Sequence, residues 1–269
     1  MDLKSLPKNN LEKEYLEHIV FGQLTEIIDF YMALSETTAG FTSLGTKAII
    51  NLDTYVFRSI SGTVESIKEI LYSGRLNDAY ALLRKYYDSI LINIYTNLYL
   101  NDHFSIDTFI VEHIDNWRSG KETIPEYRVI SKYVKDSEKL KPITDLLQKD
   151  KLYKEIRERC NDHTHYNFYH NLLLNDNELY HRGRVNAINR FQSDLIAIFI
   201  QHFSYLFYLN DHYMRSTDYI DCLDLGIPPE INSQYWVANF VQNAFDNYVK
   251  VFRPDIAAEI KEKTEMQLE

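Results

Sequence analysis

Apolar residues recur along this chain at intervals of three and four. Ala79, Leu82, Leu83, Tyr86, Tyr87, Ile90, Leu91, Ile94, Tyr95 and Leu98 form one such stripe. This is the i, i+3, i+4, i+7 pattern of an amphipathic helix, and it predicts a helix over about residues 77–100. A second long helix is predicted over about 186–209, where Ile196, Phe199, Ile200, Phe203, Leu206 and Phe207 keep the period and Leu195 and Ile198 widen the apolar face. Two further long segments, about 11–35 and 47–72, read as helical. Shorter helices are expected at 105–117, stopped by Ser119-Gly120, and from a capping box at Thr123-Ile124-Pro125-Glu126 to about residue 134. Another is expected at 151–169, and two more at 233–249 and 254–267, beyond the break Gly226-Ile227-Pro228-Pro229. Residues 175–184 read as a polar loop. No segment sustains the alternation of a strand, so the expected fold class is all-α, an up-and-down helical bundle.

Composition narrows this further. The 269 residues suit one or two domains. Gly (8) and Pro (6) are below half their usual frequencies of about 7% and 5%. That excludes collagen-like, linker-rich and low-complexity chains and weighs against sandwich and Rossmann folds, whose turns need glycine. The 45% hydrophobic content supports a sizeable core. The 21 tyrosines are read as core residues enriched by coding bias. Cys160 and Cys222 are the only cysteines, too few for a disulfide framework or a multi-cysteine metal site, and the expected compartment is the cytoplasm. Met1-Asp2-Leu3-Lys4-Ser5-Leu6-Pro7 lacks the pattern of a signal peptide. The most apolar run, 195–209, is interrupted by Gln201, His202 and Ser204 and is shorter than the roughly 20 residues of a membrane span, so no membrane association is expected. Tyr99-Leu100-Asn101-Asp102-His103 recurs as Tyr208-Leu209-Asn210-Asp211-His212. Outside this pentapeptide the two halves share only generic hydrophobicity, and helix ends collect Asn and Asp as turn formers.

Chemistry concentrates in Tyr153-Lys154-Glu155-Ile156-Arg157-Glu158-Arg159-Cys160-Asn161-Asp162-His163-Thr164-His165-Tyr166-Asn167, with His170 one turn on. Helical spacing puts Arg159, His163, Tyr166 and His170 on one face. Arg157, Asn161 and His165 lie about 160° away, since two residues turn the helix by about 200°. Unwinding near Asn161 would bring the two sets together. The net charge of −10 argues against a general nucleic-acid coat. Residues 149–190, however, carry eight Lys and Arg against six Asp and Glu, leaving +2 there and −12 elsewhere.

Three readings fit the cluster. An Arg and a His cleave RNA without a metal: the His moves the proton of the 2′-hydroxyl or of the leaving 5′-oxygen, and the Arg steadies the phosphate. Asp162, His163, His165 and His170 are metal-ligand types, although helical His-x-His spacing turns the two rings apart. A structural polar network at a helix crossing or dimer interface is the third.

The segment resembles the HEPN superfamily, helical bundles whose hallmark is an Arg followed, after four to six residues, by a His. Arg159 to His165 and Arg157 to His163 both have five intervening residues. The resemblance covers about residues 75–212 and departs in one respect: Cys160 and Glu158 follow the two arginines where a polar Asn, Asp or His is common. It implies a metal-independent endoribonuclease of toxin or phage-defence (abortive-infection) type, a homodimer whose two motifs face one cleft, and RNA as substrate. The segments expected are an N-terminal helical extension over 1–74, a HEPN-like bundle over 75–214 and a C-terminal helical extension over 215–269. His165 is assigned as general acid/base and Arg159 as phosphate stabiliser, with His163 and Arg157 as alternates. Asn161 and Tyr166 orient the substrate or the His, and Asp88 braces the motif from an earlier helix. The bland reading of Asp88 is an ion pair with Arg84 one turn back. Cys160 is expected to be a packed residue, and no cofactor or metal is called for. The rival is a non-catalytic interaction module, a sensor or neutralising subunit that binds a protein partner in an antitoxin or defence complex.

Overall fold

The computed structural model describes residues 11–41, 43–47, 51–178 and 181–269. The segment read for a signal peptide and residues 48–50 of the predicted 47–72 helix lie outside these. The described residues are mostly helical, and the two isolated bridges among them, Arg215–Val237 and Trp236–Gln267, build no strand. The chain is an all-α helical bundle, as the periodicity predicts. In order, the helices are α1 (Lys13–Leu16), α2 (Val20–Ala39), α3 (Leu52–Tyr72), α4 (Leu76–His103), α5 (Glu112–Arg118), α6 (Tyr127–Lys135), α7 (Lys141–Leu147), α8 (Leu152–Thr164), α9 (Tyr169–Leu173), α10 (Arg184–Asn210), α11 (Asp218–Asp224), α12 (Asn239–Ala244), α13 (Lys250–Phe252) and α14 (Pro254–Lys263). No described helix is long and apolar enough to cross a membrane.

Several boundaries differ from the sequence reading, each for a local reason. The 11–35 segment breaks between α1 and α2, where the His18 ring accepts the Val20 amide at 3.2 Å and satisfies a donor that a helix start leaves open. Helix α5 begins seven residues later than expected. Residues 105–111 instead run past the turn Gly45–Lys47, with the Thr46 amide donating to Phe109 O (3.1 Å) and the Val111 amide to Thr46 Oγ1 (2.8 Å). Gly45 permits this at φ +62, where a Cβ would stand 2.1 Å from Phe109 O. The stop is as expected: Gly120 adopts φ +75 just past α5. The capping box does not form, because α6 starts at Tyr127 with no side-chain cap. The 233–249 helix reduces to a 3-10 turn at Ser233–Tyr235, α12 and a π-turn at Phe245–Val249, since Trp236 and Val237 are drawn into the two bridges. Helices α7 and α11 are additions to the sequence reading.

The chain groups into two compact units. The first comprises Met1–Met32, Arg58–Ile90 and Asp150–Phe199, the second Ala33–Phe57, Leu91–Lys149 and Ile200–Glu269. Residues of both the 1–74 and 75–214 segments contribute to each unit, and 215–269 lies in the second. In the first unit Phe30 and Tyr31 of α2 meet Phe199 of α10 edge-on, at centroid distances of 5.1 and 6.1 Å. The Tyr31 and Tyr86 hydroxyls share a hydrogen bond of 2.9 Å, so two buried polar tips satisfy each other inside an aromatic core. In the second unit, residues 93–98 of α4 are buried on every side. Phe203 packs on Phe207 and Phe245, and the Tyr205 hydroxyl pairs with Thr144 at 3.1 Å. Full burial of each such ring or aliphatic side chain stabilises by about 1.5–3 kcal/mol.

Candidate functional site

Helix α8 carries the Arg–His segment in the first unit. Tyr153, Ile156, Cys160 and His163 form its buried stripe, at spacings of three and four that seat one side of the helix in the core. The helix stays regular through Asn161 and ends at Thr164, so the unwinding considered for Asn161 occurs one turn later. His165 is the C-cap and Tyr166 takes φ +50. The Tyr166 amide donates to His163 O (3.4 Å) and the Asn167 amide to Asp162 O (3.0 Å). These are the two bonds of a Schellman stop, with tyrosine at the left-handed position that glycine normally fills. Asn167 Nδ2 donates to Asp162 Oδ1 at 2.7 Å, and Asn171 Nδ2 to Asp162 O at 3.0 Å, fixing the turn that leads into α9.

The candidate residues divide between two faces. On the inner face Arg159 grips Asp194 of α10 with Nε and Nη2, at 2.7 and 2.9 Å. Tyr80 adds a hydroxyl to the same carboxylate at 3.3 Å. Burial opposes the charge of Arg159, but Asp194 outweighs it and holds the pKa above the usual value. His163 is buried, stacks on Tyr80 at 4.0 Å and 7°, and pairs through Nδ1 with Asn77 Oδ1 at 2.8 Å. Burial, with the charge of His170 next, lowers its pKa to about 4, so the imidazole is neutral at pH 7. Burial pushes the Cys160 thiol up to about 12, the opposite of an activated thiolate.

On the opposite face, where the Arg157 and Arg84 side chains are themselves largely buried, Asp88 of α4 binds two guanidinium groups. Arg157 donates to its Oδ1 at 2.7 Å, and Arg84 Nε lies 3.1 Å from its Oδ2. Arg84 Nη1 also donates to Asn161 Oδ1 at 2.5 Å. Asp88 thus contacts both Arg84, one turn back on α4, and Arg157 of α8. His165 is exposed one turn beyond Asn161, its amide closing the last α8 bond on Asn161 O at 2.9 Å. Tyr166, Phe168, Tyr169 and His170 follow it, all exposed. The structure thus brings Asp88, Arg84, Arg157 and Asn161 together, and His165 follows Asn161 by one helical turn. It brings Arg159 and His163 together through Tyr80 and Asp194. Neither Arg–His pair, Arg159 with His165 or Arg157 with His163, shares a face. Arg84 is the residue missed in the sequence, because 73 positions separate it from Arg157.

Among the described residues no three His, Cys, Asp or Glu side chains converge as a metal site would require. Asp162, His163, His165 and His170 do not form one: His163 turns inward to Asn77, while His165 and His170 point away from the core as exposed side chains.

A second polar centre, unmarked in the sequence, lies in the second unit. Asp53 is fully buried and accepts from Lys47 (3.0 Å), Tyr213 (2.6 Å), Asn93 (2.9 Å) and Asn97 (2.8 Å). Burial alone would raise its carboxyl, but Lys47 and these donors outweigh that and hold it below the ordinary range. His202 Nε2 pairs with Asn93 Oδ1 at 2.9 Å, and Asn210 Nδ2 donates to Asn97 Oδ1 at 2.9 Å. Asn97 and Asn210 come from the ends of the two helices closed by the repeated pentapeptide.

No family model, curated protein or solved structure matches the chain.

Proposed function

We propose that the chain is a metal-independent endoribonuclease of toxin or phage-defence type, acting in the cytoplasm as a homodimer. The single observation that carries this reading is the face of α8 turned to Asp88. There an exposed His165 follows one turn, about 5–6 Å, after an Asn161 held by Arg84, beside an Arg157 that shares Asp88 with Arg84. In this reading His165 takes the proton of the 2′-hydroxyl, O2′ attacks phosphorus, the bond from phosphorus to O5′ breaks, and a proton returns to O5′. Arg157 and Arg84 bind the phosphate oxygens in place of part of their hold on Asp88, and Asn161 orients the nucleotide. Tyr166 and Phe168 offer exposed rings for base stacking. Arg159 and His163, gripped by Asp194, Tyr80 and Asn77, brace the helix that carries the site. Incubation of purified protein with RNA in EDTA tests the reading: products ending in a 2′,3′-cyclic phosphate and a 5′-hydroxyl support it, and intact RNA under all conditions opposes it.

A second reading has its own support. Two of the four Arg and His residues are committed to helix packing, as a structural network would use them. In a non-catalytic module the exposed run from His165 to His170 would instead meet a protein partner. Retained binding of such a partner by His165→Ala, with no cleavage by wild type, selects this alternative.

A further inference from the structure

A cavity of about 700 Å³ opens in the second unit, with Arg215, Ser216, Asp218, Trp236, Phe240 and Gln242 among its lining residues. Its wall is built from three segments cross-linked by backbone bonds. The Ser216 amide donates to Trp236 O (2.8 Å), Ala238 to Met214 O (2.9 Å) and Gln267 to Tyr235 O (2.8 Å), so Arg215 and Trp236 are fixed relative to each other. Arg215 is half-buried, and its Nε is fully buried with no hydrogen-bond partner. Asp218 lines the same cavity, its carboxylate held by the Ser216 hydroxyl, yet the two opposite charges form no ion pair within 4.0 Å.

The terminal nitrogens of Arg215 are not buried in this way, and a carboxylate that meets that end of the fork gains two parallel bonds. A plain anion fits poorly, because Asp218 and Glu269 put two carboxylates in the lining. A plain cation fits poorly because of Arg215. A ligand with both charges satisfies both, its carboxylate on Arg215 and its ammonium on the acidic side. The Trp236 and Phe240 rings suit an apolar body, and the volume is that of a small-molecule pocket, about 300–1,000 Å³. We infer that this cavity is a binding site for a free α-amino acid with an apolar or aromatic side chain, separate from the α8 residues.

The chain carries two tryptophans, so a Trp117→Phe background leaves Trp236 as the reporter in the cavity wall. Titration with L-phenylalanine is expected to give a saturable change in Trp236 fluorescence with matching heat by calorimetry. On the same protein, 3-phenylpropionate, lacking the ammonium, and 2-phenylethylamine, lacking the carboxylate, are expected to bind at least about tenfold more weakly. Arg215→Lys, which keeps the charge but loses the fork, and Asp218→Asn are each expected to weaken binding about tenfold with unchanged far-UV circular dichroism. The inference is overturned if L-phenylalanine, L-leucine and L-methionine give no saturable signal up to about 10 mM. It is equally overturned if either single-charge analogue binds as tightly as L-phenylalanine. The analogue comparison holds even where a variant fails to fold.

Discussion

Arg159 of α8 closes a two-pronged ion pair on Asp194 of α10, Nε and Nη2 lying 2.7 and 2.9 Å from its two carboxylate oxygens. The Asp194 side chain is 1% exposed, so removing Arg159 strands a buried carboxylate. Arg159→Ala is expected to lower unfolding free energy by about 3 kcal/mol, at the low end for a broken buried pair because the guanidinium is itself partly exposed. Urea denaturation measures this, and a loss below about 0.5 kcal/mol, the range of an ordinary surface substitution, would contradict it.

Acid is expected to destabilise the fold through its buried histidines. Burial lowers His163 to about 4 and His202 to about 3, whereas an unfolded histidine titrates near about 6.5. Below that pH the unfolded chain binds protons that the native chain refuses. Stability is therefore full above about pH 6.5 and falls as the pH drops toward 4, each histidine contributing a slope of up to about 1.4 kcal/mol per pH unit. Thermal melts across this range should show a shallower decline for His163→Gln than for wild type. Identical slopes would mean that His163 does not stay neutral in the folded state.

Lys47→Met leaves Asp53 buried without its cation, with an expected cost of about 3–5 kcal/mol. The double variant Lys47→Met, Asp53→Asn should recover part of that loss, since it removes the stranded charge as well. Chemical denaturation of the four proteins gives the coupling between the two residues. Strict additivity, within about 0.5 kcal/mol, would show that the pair is not coupled.

Tyr166 occupies a left-handed position that costs an L side chain about 1–2 kcal/mol and glycine almost nothing. Glycine's freer unfolded chain offsets part of this, so Tyr166→Gly should stabilise by about 0.5 kcal/mol. If the exposed ring stacks on RNA, the same variant loses cleavage while gaining stability. A gain in both would mean that the ring has no part in RNA handling.

The long helices were legible because their apolar period is unbroken: the stripe from Ala79 to Leu98 is the core face of α4, and Ile196 to Phe207 that of α10. Spacing by fours also separated Arg157 and Asn161 from Arg159 and His163, as the two faces of α8 do. The end of α8 was not legible, because Tyr166 adopts a conformation that its identity disfavours and that the bonds to Asp162 and His163 fix. Helices α7 and α11, seven residues each, are too short to display a period. Arg84 beside Asn161, and Asp53 beside Lys47, Asn97 and Tyr213, are long-range meetings of polar residues that no local pattern announces.

The most direct test of the central claim compares RNA cleavage in EDTA by wild type, His165→Ala and His163→Gln. The account predicts cleavage by wild type, loss of at least about a hundredfold in His165→Ala, and activity within about tenfold of wild type in His163→Gln at pH 7. Full activity in His165→Ala, or cleavage that stops on chelation, would contradict it.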